Sequence, residues 1–401
     1  MKTRVLMTTT AYPPSTGGVQ GYLADLRSHL QRFEADVVTL WLSNRNDWLR
    51  GTTIRLATTG NAELSPGVRS LGWTRSTRAR MAPWAMAYYA IVPLAARRIA
   101  ALMVPELDRM VGADHRLIHN HRIGREFLAL ASLTIARRRG LPFVLTPYHH
   151  PRWRGYRYTP WIDVYRSADA LFALTRAERD ELAALGVAPE KIHVIGGGVE
   201  PAPPADGDRF RRSIRSERPI VLYLGQLYEY KGYVRLVAAA DLLHRRGLEF
   251  ELVFLGPATA ESRRFFARSD RPWVHVLGRV DDQTKWDAID AARLVCLPSS
   301  QESFGRVFLE AWAMGRPVIG GRIPAVSEII SDGRDGLLVD PSSVEELARA
   351  LDRLLTDGEL ATRMGEAGKG EIAGRFTWSE VARRVEGVYQ ALLGAGPVSR
   401  S

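Results

Sequence analysis

A chain of 401 residues is too long for one compact core and suits two domains of ordinary size. Its apolar content of 46% and charged content of 25% are those of a water-soluble globular protein, and a net charge of +11 calls for an anionic partner. Nucleic acid is not that partner, because no basic stretch interleaved with aromatics and no zinc-finger spacing is present.

The N-terminus carries no charged start followed by a long apolar core, so no export signal is read there. Residues 4–10 read as a buried strand. Residues 11–18, AYPPSTGG, form a rigid turn, and residues 19–33 an amphipathic helix. Strand, glycine-rich loop and helix make a Rossmann-like opening, but the glycines are not spaced GxGxxG, so a dinucleotide fingerprint is not supported. Residues 35–42 and 53–57 read as strands. Residues 61–80 are polar, basic and poorly patterned. Residues 81–110 form one long helical zone with Trp84, Tyr88 and Tyr89, flanked by Arg75, Arg78, Arg80, Arg97 and Arg98. Two readings fit: a helix covering the N-terminal sheet, or a surface for an anionic membrane. Its uncharged run, 81–96, is 16 residues long, short of the ~20 that span a bilayer.

Residues 116–121, RLIHNH, are a strand with His119 and His121 on one face. A helix over 126–139 follows, then a strand over 142–148 that ends in His149-His150-Pro151. Histidines at strand ends of an α/β sheet sit where such folds bind ligands. Residues 170–175, 176–185 and 192–195 are strand, helix and strand. The run PAPPADGD at 201–208 has linker composition. A second αβ series begins with a strand at 219–224, the loop GQLYEYKG at 225–232 and a helix at 233–246. Further strands are read at 249–256, 273–277 and 293–298. The lone cysteine, Cys296, lies in the last of these, so no disulfide forms within the chain and a reducing, cytoplasmic setting is expected.

After that strand a polar loop carries Glu302, and Phe304-Gly305 makes a turn. A helix over 307–314 bears Glu310, and a strand occupies 317–319. Gly305 lets backbone approach a ligand, and the free amides of the helix start face whatever sits there. The two glutamates suit two hydroxyl-bearing parts of one extended ligand. An amphipathic helix at 343–356 and a last helical stretch at 376–393 complete the pattern.

ESFGRVFLEAWAMGRPVI followed by IPAVSE resembles the donor-site signature of the family-4 retaining glycosyltransferases of GT-B fold. The resemblance implies an α/β architecture of two Rossmann-like domains facing a cleft. The N-terminal, acceptor-side domain would span 1–200, and the nucleotide-sugar domain 201–384. A C-terminal helix, 385–401, would cross back to the first domain. It further implies that Glu302 contacts donor sugar hydroxyls and that backbone amides of Phe304, Gly305, Arg306 and Val307 hold sugar and phosphate. Glu310 would hold the ribose. Gly18 would lie at the donor phosphates or the acceptor. His121 matches the H-x-H segment near the donor sugar, and His149 or His150 matches the histidine after Thr-Pro, with Tyr148 inserted here.

Lys231 matches one of the family's two pyrophosphate cations. It stands out in a chain with 50 arginines and only five lysines. The other cation, an arginine in the family, is replaced by Gln226, and Arg306 is the candidate substitute. His121, Lys231 and Glu302 are thus the expected catalytic set. The expected activity is metal-independent transfer of a sugar from a nucleotide-diphosphate-sugar to a glycan or lipid-linked acceptor. The nucleotide sugar is a substrate, and no cofactor or metal is expected. A phosphorylase or sucrose-synthase-like enzyme of the same fold is the alternative, as is a degenerate sugar-nucleotide-binding scaffold. The expected location is cytoplasmic, with a peripheral position at the inner face of the membrane if the 81–110 zone meets lipid.

Overall fold

The computed structural model describes residues 2–15, 17–41, 49, 53, 62–122, 124, 126–268 and 271–394. They divide into two compact units, 1–196 together with 378–401, and 197–377. The strand expected at 53–57 lies outside the described residues except for Thr53, as do residues 395–401 of the expected C-terminal helix.

Unit 1 is built on an eight-stranded sheet. Its strands are β1 (Thr3–Ala11), β2 (Phe33–Trp41), β3 (Ala62–Ser65), β4 (Val68–Ser70), β5 (His115–His121), β6 (Phe143–Thr146), β7 (Ala170–Ala173) and β8 (Ile192–Val194), in the order β3-β4-β2-β1-β5-β6-β7-β8. All neighbours are parallel except β3 and β4. The continuous apolar runs of β1, β6 and β7 are buried on both faces, as parallel strands covered by helices must be. Strand order turns at β1. The chain winds one way to β2 and the other way from β5 onward, so the carboxyl ends of β1 and β5 flank the point where doubly wound sheets bind ligands. Register sets Thr9 opposite His121 and His121 opposite Thr146, which brings the ends of β1, β5 and β6 level.

Two segments differ from the reading of the sequence. Residues 62–70 form a tight hairpin closed at Gly67, whose φ of 69° suits glycine, and β4 extends the sheet beside β2. The zone 81–110 is two helices, Arg75–Ala87 and Val92–Asp108, not one. Thr74 caps the first by accepting from the Thr77 amide, and Pro93 starts the second, so the break falls at Tyr88 to Ile91. Tyr88 is fully buried there, and one face of the second helix (Ile99, Met103, Leu107) enters the main core. Met86, Tyr89 and Leu94 remain exposed.

The last helix, Trp378–Gly394, belongs to unit 1. Its Glu386 carboxylate accepts from the amides of Gln31 and Arg32, both at 2.7 Å, satisfying donors at the entry to β2. Tyr389 Oη lies 2.6 Å from His119 Nδ1, and Trp378 packs edge-on against Tyr22.

Unit 2 carries six parallel strands: β9 (Ile220–Leu224), β10 (Glu251–Leu255), β11 (Val274–Gly278), β12 (Leu294–Leu297), β13 (Val318–Gly321) and β14 (Gly336–Val339). Their order is β11-β10-β9-β12-β13-β14, the doubly wound arrangement, with the switch between β9 and β12. Cys296 is fully buried in β12, and burial pushes its thiol pKa far up.

Candidate functional site

In unit 2 the loops leaving β9 and β12 meet at the switch point. Gly232 has a φ of 83°, and a Cβ there would lie 2.4 Å from the Pro298 carbonyl oxygen. Only glycine lets the two loops close to this distance. The consequence is that Lys231 Nζ reaches Glu302 Oε1 at 2.5 Å, and Ser299 Oγ donates to the same oxygen at 2.9 Å. Both side chains of the ion pair are largely buried, at 17% and 9% exposed. An ammonium has three donors, so this pair commits one of them. Gln226 is exposed on the β9 loop, and its carbonyl accepts from Tyr223 Oη at 3.0 Å. That tie fixes the loop to the strand that begins it.

Gly305 has a φ of 88° and directly precedes the helix Arg306–Ala313, which begins one residue earlier than the sequence suggests. The Phe308 amide already donates to the Gly305 carbonyl, which leaves the amides of Arg306 and Val307 as the donors of the helix start. Phe304 offers its backbone only, since its buried ring packs against Gly197 and Phe376. About one turn into the helix, Glu310 accepts from Lys285 Nζ at 3.2 Å, and Arg306 Nε stands 4.0 Å from the same oxygen. The structure therefore sets Arg306 beside Glu310. Lys285 is a contact that the sequence reading misses. Its signal is the scarcity of lysine: two of five lysines each hold one of the two signature glutamates.

In unit 1, Gly18 opens the helix Gly18–His29, is exposed, and would carry a Cβ with nothing within 4 Å. His121 is fully buried at the end of β5, where its Nδ1 is 2.9 Å from Tyr148 Oη. Burial lowers its pKa to about 3, so the ring is neutral at pH 7. The inserted Tyr148 has a φ of 44°, and this left-handed kink swings the chain so that its hydroxyl meets His121. His149 is buried, with its amide on Glu178 Oε1 at 2.6 Å, whereas His150 is half-buried against Trp153. Burial first, and then Arg122, lowers the His149 pKa to about 3. His119 is held at both ring nitrogens, by Tyr389 Oη and Thr146 Oγ1, which is the pattern of a structural residue.

Two doubly wound α/β sheets are the architecture of the GT-B class. The profile of Glycosyl transferases group 1 matches residues 205–371, and that of the Glycosyl transferase 4-like domain matches residues 17–198. The chain belongs to the family-4 glycosyltransferases of GT-B fold, which act on nucleotide sugars. Alpha-D-kanosaminyltransferase of Streptomyces kanamyceticus is 30% identical over 71% of this chain and 79% of its own length. The GDP-mannose-dependent alpha-(1-6)-phosphatidylinositol monomannoside mannosyltransferase of Mycobacterium tuberculosis is 26% identical over 95% and 97%. Sucrose-phosphate synthase from Thermosynechococcus elongatus shares the fold at a TM-score of 0.75 and 19% identity, covering 98% of this chain and 100% of that one.

Proposed function

We propose that this glycosyltransferase moves a sugar from a nucleotide-diphosphate-sugar to a glycan or lipid-linked acceptor, with retention of anomeric configuration and without a metal ion. The observation that carries the reading is the pairing of Lys231 with Glu302 beside the start of the helix that bears Glu310. Departure of a diphosphate from an oxocarbenium-like carbon puts charge on the leaving phosphate. Lys231 and the amides of Arg306 and Val307 are fixed donors for that charge. Glu302 is set to accept from sugar hydroxyls, and Glu310 from the ribose. Gly18 offers backbone without side-chain bulk. A hydrolase-like double displacement by Glu302 and Glu310 is disfavoured, because each carboxylate is held by its own lysine. Neutral His121 serves as a positioning residue near the donor sugar.

A lipid-linked acceptor is supported by the exposed Met86, Tyr89 and Leu94 in a segment rich in arginine. Among the described residues no helix is long and apolar enough to cross a membrane. The deciding experiment is a donor panel: UDP-, GDP- and ADP-sugars with a crude lipid and glycan acceptor mix, with EDTA present, following nucleotide release. Release from one donor, with the anomeric configuration of the product kept, is the expected outcome. Release only after a divalent cation is added removes metal independence, and silence with every donor removes the catalytic reading.

A further inference from the structure

Arg122 follows His121 at the end of β5 and is 1% exposed. Its guanidinium lies 4.6 Å from the Trp153 ring centre, 5.8 Å from Trp161 and 5.2 Å from Tyr165, so three aromatic rings cage it. Nη1 donates to Tyr165 Oη. Nε and Nη2 are buried and have no hydrogen-bond partner. Among the described residues no carboxylate bonds to the group, although the Glu126 carboxylate is near enough to feel its charge. The neighbouring acids are committed elsewhere. Glu126 accepts from the amides of Leu128 and Ala129, and Glu178 from those of Leu174 and His149. A buried cation with no hydrogen-bonded anion is costly, and buried orphan donors call for an explanation.

The orphan pair is one edge of the guanidinium. The Nε–Nη2 edge is the fork that matches two oxygens of a carboxylate or phosphate. His149 shares the cage, packing on Trp153 and Tyr165, and its Nε2 is also buried without a partner. Arg122 and His149 stand just beyond the carboxyl ends of the adjacent strands β5 and β6, beside the switch point of the unit 1 sheet. We propose that the Nε–Nη2 edge of Arg122, with His149 in the same cage, receives an anionic group of the acceptor, a carboxylate or a phosphate borne by a sugar. The assignment rests on unit 1 being the acceptor side. Trp153 is the half-buried wall of the cage, on the loop after β6.

Wild-type protein and the R122M and R122K variants are titrated with glucose 6-phosphate, glucuronate and glucose, following tryptophan fluorescence, to which Trp153 and Trp161 contribute among the ten tryptophans. Cooperative thermal unfolding shows that a variant is folded, and R122K carries the comparison if R122M is not. No turnover is needed, so a silent donor panel leaves the result readable. The expected result is saturable binding of one anionic sugar and none of glucose, with binding at least about tenfold weaker in R122M and intermediate in R122K, which lacks the fork. The tighter of the two anions names the group. Equal binding by wild type and R122M, an equal response to glucose, or no saturable response to either anion overturns the proposal.

Discussion

In the proposed donor site, Lys231 is one cation where the family pattern has two. Replacing it with alanine also strands Glu302, so one variant confounds charge with packing. K231A is expected to lower kcat about 10²–10³-fold. Adding E302Q to it should restore thermal stability but not kcat, because the neutral amide relieves the stranded carboxylate and supplies no cation. Restored turnover in the double variant would show that the pair is only structural. Q226R should lower the donor KM several-fold, since a charge-assisted bond replaces a neutral one. An unchanged KM would mean that another group already supplies the charge. The buried titratable groups of unit 1 make a separate pH prediction. His121 and His149 have folded pKa values of about 3, below their ordinary 6.5, so the unfolded chain binds more protons between those limits and stability falls as pH drops from 6.5 to 3. Burial raises Glu126 and Glu178 from 4.5 to about 7, so the folded chain binds more protons there and stability falls as pH rises from 4.5 through 7. The opposing slopes place the stability maximum of this set between about pH 4.5 and 6.5. Thermal melts across pH should show it, and E126Q should flatten the decline above about pH 6.5.

At the scale of elements, two glycines that look alike in sequence do opposite work. Gly232 is required by the fold: G232A forces a left-handed alanine onto the Pro298 carbonyl, and the melting temperature should fall by several degrees. Gly18 meets nothing inside its unit, so G18A should melt as wild type does and yet lose at least about tenfold in activity if a ligand approaches that backbone. Full activity in G18A would remove Gly18 from the site. The same contrast separates what is legible in the sequence from what is not. Strand, loop, Gly305, helix and Glu310 are consecutive, so local pattern suffices for them. Lys285 reaches Glu310 from a different helix, and only the packed sheet puts the two within 3.2 Å. Arg122 is invisible to such a reading because arginine is a residue expected at the surface, and nothing in its neighbours announces the aromatic cage. The break between the helices Arg75–Ala87 and Val92–Asp108 is masked by an unbroken apolar run, although Pro93 is a signal for it.

For the whole molecule, a charge of +11 carried mostly by arginine, with Met86, Tyr89 and Leu94 exposed, predicts binding to anionic vesicles. Flotation should carry the protein up at low salt and leave it behind at high salt, because screening removes the attraction. A protein that stays at the bottom at low salt would remove the membrane from the proposed function. The return of the helix Trp378–Gly394 to unit 1 has a consequence for biosynthesis. The polypeptide leaves the ribosome from its N-terminus, so β1 to β8 emerge before the helix that covers them. Until Tyr389 appears, His119 lacks its tyrosine partner, and until Glu386 appears the entry to β2 lacks its carboxylate. Unit 2, by contrast, is one continuous stretch of chain and holds all its own strands as soon as it has emerged. Unit 1 therefore receives this helix only after the whole of unit 2 has been made.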